Sequence, residues 1–164
     1  MIHLICLGNP AHGDDGFGPS VFQRLARFQW PAMVRVLDAS ASGGAVALFA
    51  GCDKAVVVDA LPPGSGRPGQ ILRLPDYPHD PQGAAAGGGA GILRTVRRTI
   101  SPLPDIEVIG AVAVCCRPFQ AGLSPLVMAA CESVSTLLCR EYGARRRMRC
   151  MALSPAAQHA SGEE

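Results

Sequence analysis

Apolar residues in this chain come in short runs separated by loops rich in glycine and proline, and the runs alternate between two periodicities. Ile2–Leu7 is a short apolar run, interrupted only by His3, ending at Gly8-Asn9-Pro10, the pattern of a buried strand. Across Pro19–Phe28 the apolar positions Val21, Phe22, Leu25, Ala26 and Phe28 take helical spacing, with Pro19 suited to a first turn. Val34–Leu37 predicts a second strand, closed by Asp38, and Gly44–Ala50 a short helix. Ala55–Val58 is β-branched and predicts a third strand ending at Asp59. Gln70–Leu74 predicts a fourth strand, at an edge, and Ile106–Val114 a fifth; the basic segment Ile92–Ile100 lies between them as a helix. Ser124–Glu141 predicts the longest helix, with Ser124 as its cap, Pro125 in its first turn and Gly143 as its stop.

Strands and helices thus alternate, and the strands are mainly apolar runs. This predicts a single three-layer α/β/α domain over residues 1–143, with about five strands in a mostly parallel, twisted sheet and helices on both faces. Residues 144–164, basic at Arg145–Arg149 and then polar, read as a solvated C-terminal tail. The stretch Pro75–Gly91 contains the run Ala84–Gly89 and has the composition of a loop.

Composition narrows the function classes. A hydrophobic share of 48% is enough to fill a core, and a formal net charge of +2 gives no electrostatic reason to expect nucleic acid or an anionic membrane as partner. No apolar run approaches the roughly 18 residues of a bilayer span, and the N-terminal run lacks the basic flank of a signal peptide. The seven cysteines are odd in number and include no CxxC pair, so reduced thiols in a cytoplasmic protein are the expectation. Cys115-Cys116 reads as inert packing at a strand end, and Trp30 as core. A GxSxG elbow is absent, as is a phosphate-binding GxxxxGK[ST] loop.

The chemistry-bearing pattern is acidic. Asp14 and Asp15 follow the first strand, Asp38 the second and Asp59 the third. Parallel sheets gather their ligand sites outside the carboxyl ends of the strands. Carboxylates gathered there repel one another unless they share a proton or a cation, so the pattern suggests a cation site. Capping of loops and helices by individual aspartates is the plainer alternative.

Five motifs in order add a resemblance. They are Gly8-Asn9, four variable residues and Asp14-Asp15-Gly16-Phe17-Gly18; Leu37-Asp38 with Gly43 after it; Val56-Val57-Val58-Asp59-Ala60 followed by Pro68-Gly69; Ile109-Gly110-Ala111-Val112; and Gly122-Leu123-Ser124-Pro125. Over about residues 2–140 the chain resembles the endopeptidases that mature [NiFe]-hydrogenase large subunits. The resemblance implies a monomeric protein that removes a C-terminal extension from a large-subunit precursor already carrying nickel. It implies that Asp15 and Asp59 are the catalytic and metal-contacting acids, and that nickel is sensed in the substrate rather than held permanently. Gly8, Asn9, Asp14 and Asp38 would belong to the substrate loops. Attack by a carboxylate-assisted water and polarisation of the scissile carbonyl by the metal are both open to such a site.

The chain departs from the family at two places. The family's histidine ligand falls near Ala85, inside the Ala/Gly run, and His79 and His12 are the weak candidates to replace it. Ala39-Ser40-Ala41 stands where the family has Gly-Gly-Thr. The missing histidine gives a second reading, a non-proteolytic relative that binds the precursor or nickel as a maturation chaperone.

Overall fold

The computed structural model describes residues 1–40, 44–77 and 88–143. The candidate ligand His79, the neighbouring Ala85, Gly43 and the tail 144–164 lie outside the described residues.

Five strands form one sheet: β1 (Ile2–Cys6), β2 (Val34–Asp38), β3 (Lys54–Leu61), β4 (Ile71–Leu74) and β5 (Asp105–Val112). Their order is β2-β1-β3-β5-β4; all neighbours are parallel except β4, which runs antiparallel along the β5 edge. Among the described residues three α-helices cover the sheet: α1 (Phe17–Leu25), α2 (Gly89–Thr99) and α3 (Pro125–Tyr142). The predicted layers and sheet are thus present.

Side-chain parity explains the two cores. In a strand, successive residues point to opposite faces. Leu4, Cys6, Val56, Val58, Ile109 and Ala111 meet Phe17, Val21 and Leu25 of α1 and Val127, Val134 and Leu138 of α3. The alternate set, Ile5, Leu7, Ala55, Val57, Leu61, Val108 and Val112, meets Phe49 and, from α2, Leu93 and Val96. Buried His3 belongs by parity to the second face, where its Nδ1 lies 2.7 Å from the carbonyl oxygen of Leu48. That bond anchors the short helix expected over 44–50, which takes 3-10 form over Ala45–Phe49.

Boundaries shifted where tertiary contacts outweighed periodicity. The first helix starts two residues early and stops at Leu25, so Phe28, which the spacing had placed on its apolar stripe, is exposed. Trp30 closes that end, its Nε1 donating to the Leu25 carbonyl at 2.9 Å. Strand β3 does not end at Asp59. It runs on to Leu61 because β5 continues to pair with it, Asp59 opposite Gly110 and Leu61 opposite Val112.

Strand order fixes where a ligand can sit. From β1 the chain moves outward to β2, then returns past β1 to β3. The two connections leave in opposite directions and part the chain outside the carboxyl ends of β1 and β3, which is where doubly wound sheets open a crevice.

Candidate active site

A cleft of about 700 Å³ occupies that crevice. Its walls include Gly8, Asn9, His12 and Asp15 from the loop after β1, Ala39 and Ser40 after β2, Asp59 of β3, and Gly88 and Gly89 at the start of α2. Of the sequence-predicted residues, Gly8, Asn9, Asp15 and Asp59 therefore share one cavity, and Asp14 and Asp38 are not part of its lining.

The separation of Asp14 from Asp15 is set by local geometry. Both lie in a one-turn 3-10 helix, Gly13–Gly16, where successive side chains project about 120° apart. Asp15 turns to the cleft, half-buried, and accepts the Asn9 amide at 2.9 Å on Oδ2. Burial raises its pKa, and the Asn9 amide and the nearby His12 oppose that rise. Asp14 turns the other way and is 1% exposed. It accepts the amides of Val114, Cys115 and Ser124 at 2.8, 3.1 and 2.6 Å, and the Ser124 hydroxyl at 3.0 Å.

Two expectations change on this point. Ser124 stands at the N-cap of α3 but makes no side-chain capping hydrogen bond, its hydroxyl donating to Asp14 instead. Asp14, expected in a substrate loop, ties that loop to the β5–α3 connection. Burial alone would raise the Asp14 pKa, but the hydrogen bonds from Ser124, Cys115 and Val114 outweigh it and hold the carboxyl below its ordinary 3.8. A depressed folded-state pKa contributes stability that is complete above 3.8 and is lost as pH falls through the folded value. Asp14→Ala strands those donors and is expected to cost about 3 kcal/mol in urea denaturation at pH 7. A loss under about 0.5 kcal/mol, the range of a neutral surface change, would show that the staple contributes nothing.

Asp59 is the most perturbed acid of the cleft. By parity it shares the face of Val57 and Leu61, beneath α2, and is only 5% exposed. Oδ1 accepts the Ala60 amide at 2.8 Å, and Oδ2 accepts the Tyr77 hydroxyl at 2.7 Å. Burial pushes its pKa up to about 7; the negative charge of Asp15 adds to that rise, and the Tyr77 and Ala60 hydrogen bonds oppose it. Two ionised carboxylates in this cleft repel each other, and a cation or a proton relieves that repulsion.

Asp38 is exposed and accepts the Ser40 amide at 2.9 Å, a local turn that shapes the loop bearing the cleft residues Ala39 and Ser40. Asn9 is pinned by its own turn, its Oδ1 accepting the Ala11 amide at 3.0 Å, and its Nδ2 lies 3.4 Å from His12 Nε2. Among the described residues no three His, Cys, Asp or Glu side chains gather as a metal site, so His12 does not complete a triad with Asp15 and Asp59. Sequence reasoning missed Tyr77. The only signal for it was an aromatic residue in an otherwise polar, proline-rich stretch after β4.

A crevice at the switch point of a doubly wound sheet, with two carboxylates facing into it, defines the class. The particular fold is that of the [NiFe] hydrogenase maturation proteases. The hydrogenase maturating endopeptidase HybD from E. coli superposes with a TM-score of 0.67 at 24% identity, over 85% of this chain and 92% of that one. The [NiFe] hydrogenase maturation protease HycI from Thermococcus kodakarensis KOD1 gives 0.64 at 23% identity, over 85% and 90%. The hydrogenase 2 maturation peptidase from a Thaumarchaeota archaeon gives 0.61 at 22% identity, over 85% and 95%. No family model and no curated protein matches the sequence. Among the described residues, no helix is long and apolar enough to cross a membrane.

Proposed function

We propose that the chain is an endopeptidase that removes a C-terminal extension from the nickel-loaded large-subunit precursor of a [NiFe] hydrogenase. One observation carries the reading: Asp15 and Asp59, from separate elements, face one cleft large enough for a peptide segment. The shared fold with proteins described as hydrogenase maturation proteases supports it.

In this reading the precursor brings its nickel to the cleft, and the two carboxylates supply oxygen donors to it. The cation relieves the repulsion between Asp15 and Asp59, so precursors without nickel are bound less well. Of the two acids, the carboxylate oxygen left free by the cation is the base that accepts a proton from water. The water oxygen then bonds to the scissile carbonyl carbon, and the proton passes to the departing amine. The Asn9 amide holds Asp15 in place toward the cleft.

The test is mass spectrometry of a nickel-loaded large-subunit precursor before and after incubation with the protein, with a nickel-free precursor and the Asp15→Asn variant alongside. Loss of a defined C-terminal peptide, only with nickel and only with Asp15 intact, is the expected result. A precursor that is bound but never shortened would replace this reading with the non-proteolytic chaperone.

A further inference from the structure

Among the described residues, Tyr77 is a side chain hydrogen-bonded to Asp59 that no motif announced, and its surroundings are built rather than incidental. Its ring packs against the apolar cluster beneath α2, alongside Leu93 and Val96. Its hydroxyl donates to Asp59 Oδ2 at 2.7 Å. The ring is absent from the cleft lining, so the tyrosine stands behind the carboxylate rather than beside the ligand. The first residue of α2 closes the arrangement from a third side. A methyl group at Gly89 would overlap the Tyr77 hydroxyl and also reach Asp59 Oδ2. Only a residue without a side chain lets the helix start this close, so hydroxyl, carboxylate and helix terminus interlock.

The consequence for Asp59 is geometric. Oδ1 is held by the Ala60 amide of its own strand and Oδ2 by Tyr77. With both oxygens fixed, the carboxylate plane is set before any ligand arrives, and only the remaining lone pairs can address the cleft. Partners of this kind orient the groups that meet a ligand.

We propose that Tyr77 is a positioning residue, whose hydroxyl fixes the orientation of the Asp59 carboxylate toward the cleft. The inference rests on the reading of Asp59 as a residue of the reaction. Tyr77 itself contacts neither substrate nor the reacting atoms.

Tyr77→Phe removes the hydroxyl and keeps the ring, so the apolar packing and the fold are expected to survive. Two measurements test the role. Turnover of the nickel-loaded precursor should fall roughly ten- to hundred-fold in kcat, with KM changed little, since the cleft lining is intact. The 13C resonance of the Asp59 carboxyl should shift in the variant, a readout that needs no substrate and that a purely packing role would not move. If Tyr77→Phe melts too low for study, 3-fluorotyrosine at position 77 alters the strength of the donor while keeping the hydroxyl, and the same carbon should respond. An unmoved Asp59 carbon, or a parent-like kcat, overturns the proposal. A shifted carbon in a protein whose parent form cleaves no precursor keeps Tyr77 as the positioner of Asp59 and removes the proteolytic reading instead.

Discussion

Asp59→Asn is expected to abolish precursor processing while making the protein more stable at alkaline pH. The two effects share one cause. Burial, reinforced by Asp15, makes the ionised Asp59 costly and raises its pKa from 3.8 to about 7. Between those values the folded chain keeps a proton that the unfolded chain has released. Stability therefore falls as pH rises through that window, and stays low above about 7. Asparagine has nearly the same shape and never ionises. Its side-chain oxygen can accept the Ala60 amide, and its NH₂ can donate to Tyr77, whose hydroxyl reverses from donor to acceptor. The variant should gain on the order of 2–4 kcal/mol over the parent at pH 8, and the two should converge near pH 4. Thermal melts across pH 4–9 measure this directly. Parallel profiles for the two proteins would mean that Asp59 titrates normally. Processing should vanish because the neutral amide neither contacts a cation as a carboxylate does nor takes a proton from water. Cleavage at the parent rate by the stabilised variant would remove Asp59 from the chemistry.

Gly18→Ala is expected to be among the most disruptive single-methyl changes in the described residues. Gly18 lies in the first turn of α1, where the helix crosses β1 and β3 at their carboxyl ends. A methyl group there would overlap the carbonyl oxygen of Leu7 and sit 2.7 Å from that of Val58. Neither neighbour can rotate away. Both are backbone, and the Val58 oxygen already accepts the Leu7 amide at 2.8 Å. The helix must lift off the sheet, separating Phe17 and Val21 from Leu4, Cys6 and Val58. Overpacking of side chains costs 1–3 kcal/mol, and a clash with fixed backbone belongs at or above the top of that range. A loss of about 3 kcal/mol corresponds to a fall in Tm of roughly 10 °C for a chain of this size. The loop carrying Asp15 leads directly into α1, so processing should weaken even at temperatures where the variant stays folded. Urea denaturation within about 0.5 kcal/mol of the parent would show that α1 accommodates the methyl group without lifting.

The sequence and the structure divide the explanation along a physical line. Periodicity is local, so short apolar runs such as Ile2–Leu7 and Ala55–Val58 declared buried parallel strands, and the helical spacing after Pro19 declared a covering helix. Alternation of those signals determined the layered α/β fold, and the positions of Asp15 in the loop after the first strand and Asp59 after the apolar run of the third pointed to the edge that carries the candidate site. The ordered glycine and aspartate motifs went further and named the fold that the solved structures share. What the chain alone did not determine depends on contacts between distant residues. Whether β3 stops at Asp59 is decided by β5, about fifty residues later, which pairs with it as far as Leu61. Which of two adjacent aspartates faces the cleft is decided by the pitch of a 3-10 turn and by amides at Val114, Cys115 and Ser124, a hundred residues away. Tyr77 carries no motif because a hydrogen bond to Asp59 needs only a hydroxyl at the right point in space, and the folding of β4 back along β5 puts it there. Sequence patterns record what each segment must bury; only the packed molecule records which polar groups then have to find one another.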